Sequence, residues 1–135
     1  MSADHALQTA IRLRLAATPA VTALVPAASI LDVNQRPAPV PSIIIGEGQS
    51  MEGDQLDRRD QRLIMDLHIW KQEAGLGGVK DIAGAIRTAL HSARLTVTGW
   101  HCGDCRVSSM RFLRDPDGET AHGVVTVEAL VVEAA

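Results

Sequence analysis

The stretch Arg62-Leu63-Ile64-Met65-Asp66-Leu67-His68-Ile69-Trp70, with the run from Gly75 to Arg94 that follows it, decides the fold. Leu63, Met65, Leu67 and Ile69 alternate with Arg62, Asp66 and His68, the period of a strand that buries one face, and only Ile64 interrupts the polar side. After the break at Gly75, Gly77 and Gly78 the period changes. Val79, Ile82, Ala83, Ile86, Ala89, Leu90 and Ala93 return at helical spacing, with Lys80, Asp81, Arg87, Thr88, His91 and Arg94 on the opposite side. A half-buried strand followed by an amphipathic helix lays helix on sheet.

Working outward, 135 residues suit a single domain over 1–135 with one core, large enough to fold without metal or disulfide staples. Only Trp70, Trp100 and Phe112 are aromatic, so that core is built from Ala, Val, Leu and Ile. The same scarcity, with a formal net charge of -3, argues against nucleic-acid readers, which need stacking rings or a basic stripe. No apolar run is long enough to span a membrane, and Met1-Ser2-Ala3-Asp4-His5 has the form of no secretory signal, so synthesis in the cytoplasm is expected.

Towards the N-terminus, Ala3 to Ala17 reads as a helix with Leu7, Ala10, Ile11 and Leu15 on its apolar face, capped by Ser2 or Asp4. Thr18-Pro19 restarts a short helical piece that Pro26 ends. Ile30 to Val33 is extended, and Asn34-Gln35-Arg36 leads into Pro37, Pro39 and Pro41, an unpaired strip along a surface or a sheet edge. Ser42 to Gly46 is a short β-branched strand. Glu47 to Gln61 is strongly polar and reads as a hairpin arm or a mobile loop.

Beyond the central unit, Leu95 to Trp100 reads as a brief strand, and Arg106 to Arg114 and Gly123 to Glu133 as two more joined by the turn Asp115-Pro116-Asp117-Gly118. The fold class is therefore α/β of the α+β kind: a mainly antiparallel sheet of about four to five strands against an N-terminal helix and a central helix. The last strand has apolar residues for both faces, Val124, Val125, Val127, Leu130, Val131 and Val132. Its cover comes either from the chain's own helices or from another subunit.

Residues with chemistry are few. Cys102-Gly103-Asp104-Cys105 after His101 has the spacing of a zinc half-site or a redox pair, but no second ligand pair follows and no helix opens after it; two reduced thiols in a loop are the simpler reading. His91, with Arg87 and Arg94, suits a helix C-terminus. Gly75-Leu76-Gly77-Gly78 lacks the residues of a phosphate loop, and Asp115 and Asp117 are explained by a turn. No catalytic centre, metal site or cofactor site is assigned.

The order of these pieces carries a resemblance. A leading helix ending Ala23-Leu24-Val25, then Ile30-Leu31-Asp32, the proline strip into Ile43-Ile44-Ile45-Gly46-Glu47, His68-Ile69-Trp70, Ala89-Leu90-His91, and Phe112-Leu113-Arg114-Asp115-Pro116-Asp117-Gly118 with His122-Gly123-Val124-Val125 together resemble the DUF3168 family. These are tail completion or tail terminator proteins of long-tailed bacteriophages and of phage-like gene transfer agents. The Cys102 and Cys105 pair departs from that pattern. The resemblance implies a structural protein without enzymatic activity or cofactor, a homo-hexameric ring on the last ring of the tail tube at the head-tail junction. Its implied partners are further copies of itself, the major tail tube protein and a head-side connector or stopper protein, with DNA passing through the channel without sequence-specific binding and with no membrane. On such a subunit Met51, Leu56, Arg58 and Arg59 of the polar arm, and Val125, Val127 and Val131 of the last strand, are the candidate contacts with a neighbour or the tube. A head-closure stopper and a small CxxC redox or zinc protein are the alternatives.

Overall fold

The computed structural model describes residues 1–33 and 39–134, so Asn34-Gln35-Arg36 and the first two residues of the expected proline strip, Pro37 and Ala38, lie outside the described residues. The first helix, α1 (Ala3–Ala16), starts where the Ser2 side chain accepts the His5 N–H at 3.2 Å, a side-chain N-cap. Its buried stripe is Leu7, Ala10, Ile11 and Leu15, as the spacing predicts. The one-turn α2 (Pro19–Thr22) follows, with proline in its first turn. The Thr18 hydroxyl does not cap α2; it donates to the Arg14 carbonyl at 2.7 Å and closes the end of α1 instead.

Five strands form one sheet: β1 (Ile30–Leu31), β2 (Ser42–Glu52), β3 (Asp60–Gln72), β4 (Trp100–Arg114) and β5 (Thr120–Glu133). Between β3 and β4 lies the long helix α3 (Gly77–His91). The strand order is β1-β2-β3-β5-β4, parallel only between β1 and β2. The expected α+β architecture is thus the observed one, with strands longer than their apolar cores suggest.

Both long helices lie on the same face of the sheet. Leu7, Ile11 and Leu15 of α1 and Ile82, Ile86 and Leu90 of α3 close over Leu63, Leu67 and Ile69 of β3, all fully or almost fully buried. Across the β3 and β5 ladder Leu67 faces Val125, Leu63 faces Ala129 and Ile69 faces Gly123. The fit at Gly123 is close: a Cβ there would stand 3.3 Å from Ile69 Cδ1, so a larger residue presses on the Ile69 side chain. The core is aliphatic, and each buried Leu, Ile or Val contributes about 1.5–3 kcal/mol of burial.

Arg14 ties the two helices together. Its guanidinium donates to the carbonyls of Ala89 (2.9 Å), Ala93 (3.1 Å) and Arg94 (3.1 Å) at the end of α3, where carbonyls have no intrahelical partner. His91, expected in that role, points elsewhere: its Nε2 accepts the Val107 N–H of β4 at 3.0 Å.

Three expectations are corrected, and one alternative is decided. Val125, Val127 and Val131 are 0% exposed because they lie on the helix-covered face of the sheet, so they belong to the chain's own core and present no surface to a neighbour. Of the two readings of the polar arm the hairpin is the observed one, since β2 and β3 stay paired out to Glu52 and Gln61, and β3 is in turn held by β5 through Asp60 and Val132. Leu95 to Trp100 is no strand; a single bridge joins Val97 to Trp100 around Gly99, whose φ is +84°. Cys102 and Cys105 sit inside β4, which begins well before Arg106.

Candidate functional site

The two faces of the sheet differ. One is filled by helices; the other carries Ile64, Asp66, His68 and Trp70 of β3 beside His122, Val124, Thr126, Glu128, Leu130 and Val132 of β5, and no described helix lies over it. Polar members are paired in place, with the Thr126 hydroxyl donating to Asp66 at 2.7 Å and Arg106 reaching Glu128 at 3.3 Å. Apolar members are not withdrawn: Leu130 is 46% exposed, and Ile64, Val124 and Val132 are half-buried. An apolar set rimmed by fixed polar pairs is the anatomy of a protein contact surface.

One end of this face is built around His68. Its Nε2 meets Glu47 Oε1 at 2.7 Å and its Nδ1 meets His122 Nε2 at 2.9 Å, while the His122 ring stacks on Trp70 with centroids 3.8 Å apart. Between Ile45 and Gly48 the β2 and β3 register shifts, and Gly46 sits under the imidazole, where a Cβ would come within 2.6 Å of His68 Cδ2. With Glu47 ionised, His68 donates to it from Nε2–H, and the two rings share one hydrogen between Nδ1 and Nε2. A second proton on the pair sets N–H against N–H.

The hydrogen bond from His68, followed by Glu47's own backbone N–H, holds the Glu47 carboxyl below the usual carboxylate range. Burial, followed by the charge of His68, pushes His122 below an ordinary imidazole. Because the folded chain takes up the His122 proton less readily than the unfolded chain, stability is full above about pH 6.5 and falls as pH drops through the window just below it. The fall in melting temperature between neutral and mildly acidic pH is expected to flatten in His122→Asn; an unchanged slope would assign it to other groups.

The two thiols occupy a second feature. A bulge between Cys102 and Asp104 absorbs one residue of β4, so Cys102, opposite Val131, and Cys105, opposite Ala129, share the helix-facing side. Both are free, and they line an open cleft of about 330 Å³ with Leu90, His91, Arg94 and Arg106. A hydrogen bond between the thiols lowers Cys102 and raises Cys105, so Cys102 ionises first. Among the described residues no group of three or more His, Cys, Asp or Glu side chains is arranged to hold a metal. Replacing both cysteines by serine is expected to lower stability by no more than about 1–2 kcal/mol, since the Asp104 carbonyl that accepts the Cys102 thiol at 3.4 Å can accept a hydroxyl. Zinc bound at one per chain in the wild type would contradict that expectation.

The remaining candidates are placed as follows. Leu56 is 89% exposed at the hairpin tip and Met51 is half-buried at the end of β2, just before the turn. Arg58 has a positive φ of 60° at the tip, whereas Arg59 is drawn back to the Glu133 carbonyl at 2.9 Å. The glycine run before α3 offers no phosphate cradle, because Glu73 Oε1 already accepts the Val79 N–H at 3.1 Å. Sequence reading missed the Glu47, His68 and His122 cluster. The signal was present, for each of the three sits in a piece quoted for the family resemblance, but only the sheet register shows that they meet.

A helix-backed sheet with one bare, partly apolar face and fixed polar pairs is the build of a structural assembly subunit. The chain matches the family described as tail completion protein gp17 over residues 9–132, and it belongs to that family. Among solved structures it is similar to a chain of the virion of a native gene transfer agent particle, with TM-score 0.86 and 19% identity over 97% of this chain and 98% of that one. It is also similar to the gp17 protein of bacteriophage SPP1, with TM-score 0.63 and 23% identity over 94% and 89%. No curated protein matches it in sequence. The role of the chain is structural, in tail completion.

Proposed function

We propose that the chain forms a homo-hexameric ring that caps the head-proximal end of the tail tube, ends tube growth and joins the tail to a head-side connector or stopper protein. The observation that carries this reading is the bare face of the sheet in a chain whose family match covers nearly all of it. The major tail tube protein is the partner on one side of the ring and the connector on the other, with DNA passing through the channel. A net charge of -3 suits such a lining, because 16 Asp and Glu outnumber 13 Lys and Arg and weaken any hold on phosphates. Particles assembled without the protein are expected to show tubes of uncontrolled length and no attached heads, and adding it back to restore both. Tubes of normal length joined to heads in its absence would overturn the reading, and seating on tailless heads rather than tube ends would make it a stopper.

The hairpin tip gives a finer test. Gln49 to Glu52 are paired with β3, so only residues 54–58 are removable without breaking the ladder. Replacing those five residues with a Gly-containing turn is expected to change stability by less than about 1 kcal/mol, because loop-closure entropy varies slowly with length. If Leu56 and Arg58 contact a neighbour or the tube, the shortened protein caps poorly and electron microscopy shows tails of variable length. Normal tails with rings in place would reduce the tip to a solvated turn.

A further inference from the structure

The strand order leaves two sheet edges that the described residues cover only in part. β4 runs 15 residues along one of them. His91 closes that edge at one point, where its ring takes the Val107 N–H, and beyond the bulge the outer side from Ser109 to Arg114 has no strand beside it. On the other side β1 pairs only with Ile43 and Ile44, so the outer side of β2 from Gly46 to Glu52 has no described strand either. Unpaired edges of this length are templates for another strand, and soluble chains that keep them put them to use or block them.

The two edges differ in charge. β4 carries Arg111 and Arg114 beyond Arg106, which is already paired with Glu128, while β2 carries Glu52 beyond Glu47, which is already paired with His68; the tip that follows is mixed, with Asp54 and Asp57 beside Arg58 and Arg59. Like edges therefore repel and unlike edges attract. Direction agrees: β2, β3, β5 and β4 alternate, so β4 runs antiparallel to β2 within one chain. A second copy related by rotation about an axis along the strands keeps those directions. Its β2 then meets the first copy's β4 antiparallel, the sense that the long strands already use. One edge of each kind stays open after one such contact, so the same contact repeats, and a rotation that divides the full circle closes it into a ring.

We propose that β4 of one copy adds to β2 of the next, head to tail, so that the sheet runs on across the subunit boundary. The inference rests on the ring reading and names the surfaces that close the ring. It leaves the bare face free for the tube or the connector, and it makes the arginine-bearing half of β4 the donor surface.

The test uses the full chain with Cys102→Ser and Cys105→Ser, adding Ser50→Cys together with a second cysteine at Ser109, Met110, Arg111 or Phe112 in turn. After ring formation on tail tubes and mild oxidation, one register is expected to give a ladder of linked chains on non-reducing gels that a thiol reductant collapses. Arg111→Glu without added cysteines is expected to remain folded and to lower the ring fraction at least tenfold, with Glu52→Arg in the same chain restoring part of it. Rings of the expected mass that link at no register but link through Leu130→Cys would overturn the edge contact while leaving the ring intact. A monomeric mass with tubes present would overturn both.

Discussion

Ile86→Asp is expected to leave no folded protein at 25 °C. Ile86 is 0% exposed on the face of α3 that meets the sheet, and it belongs to the contiguous aliphatic core. The substitution removes the burial of a branched side chain and puts a carboxylate where the surrounding core residues are aliphatic. Losses above about 4–5 kcal/mol come from this mechanism, and they are comparable with the whole stability of a small domain. Ile86→Val, which keeps shape and polarity, is expected to cost only about 0.5–1.5 kcal/mol. Circular dichroism melts check both, and a soluble Ile86→Asp protein with a cooperative transition would show that the α3 face is misassigned.

Arg14→Ala comes next in size, at about 2–3 kcal/mol of stability. Three carbonyls at and just beyond the end of α3, those of Ala89, Ala93 and Arg94, accept from one guanidinium at 2.9–3.1 Å, and the Ala89 carbonyl also accepts the Ser92 hydroxyl. Alanine leaves them without that charged donor and removes the only side chain of α1 that reaches the end of α3 through hydrogen bonds among the described residues. Arg14→Lys keeps the charge and loses the fork, so it is expected to recover less than half of the loss. Denaturant unfolding gives the magnitude, and hydrogen exchange in the last turn of α3 gives the location. Unchanged protection there would mean that water serves those carbonyls as well as the arginine does.

What the sequence showed and what it hid follow from where side chains are read by the core. The centre of β3 was legible because each of Leu63, Met65, Leu67 and Ile69 is buried against helices, and α3 because Ile82, Ile86 and Leu90 repeat on one stripe. The outer half of β2 was not, because Gly46 to Ser50 and Glu52 are exposed and their strand conformation comes from hydrogen bonds to β3 rather than from an apolar period. The first half of β4 was hidden for a related reason: the bulges at Cys102/Asp104 and Val107/Ser109 shift the alternation twice within one strand. The excess of valine in β5 was read correctly as two apolar faces but divided wrongly. Val125, Val127 and Val131 serve the core, and Val124, Leu130 and Val132 are the ones on the surface. Register, which composition cannot supply, decides between them. Tail completion, by contrast, was legible from the order of weak pieces along nearly the whole chain, and the family match over residues 9–132 shows it.

The measurement that bears most directly on the ring is the mass of the native particle in solution, taken with and without isolated tail tubes. The account predicts that protein bound to tube ends dissociates from them as a species about six times the 14.4 kDa chain. A species of single-chain mass on and off the tubes, or no binding to tube ends at all, would contradict it.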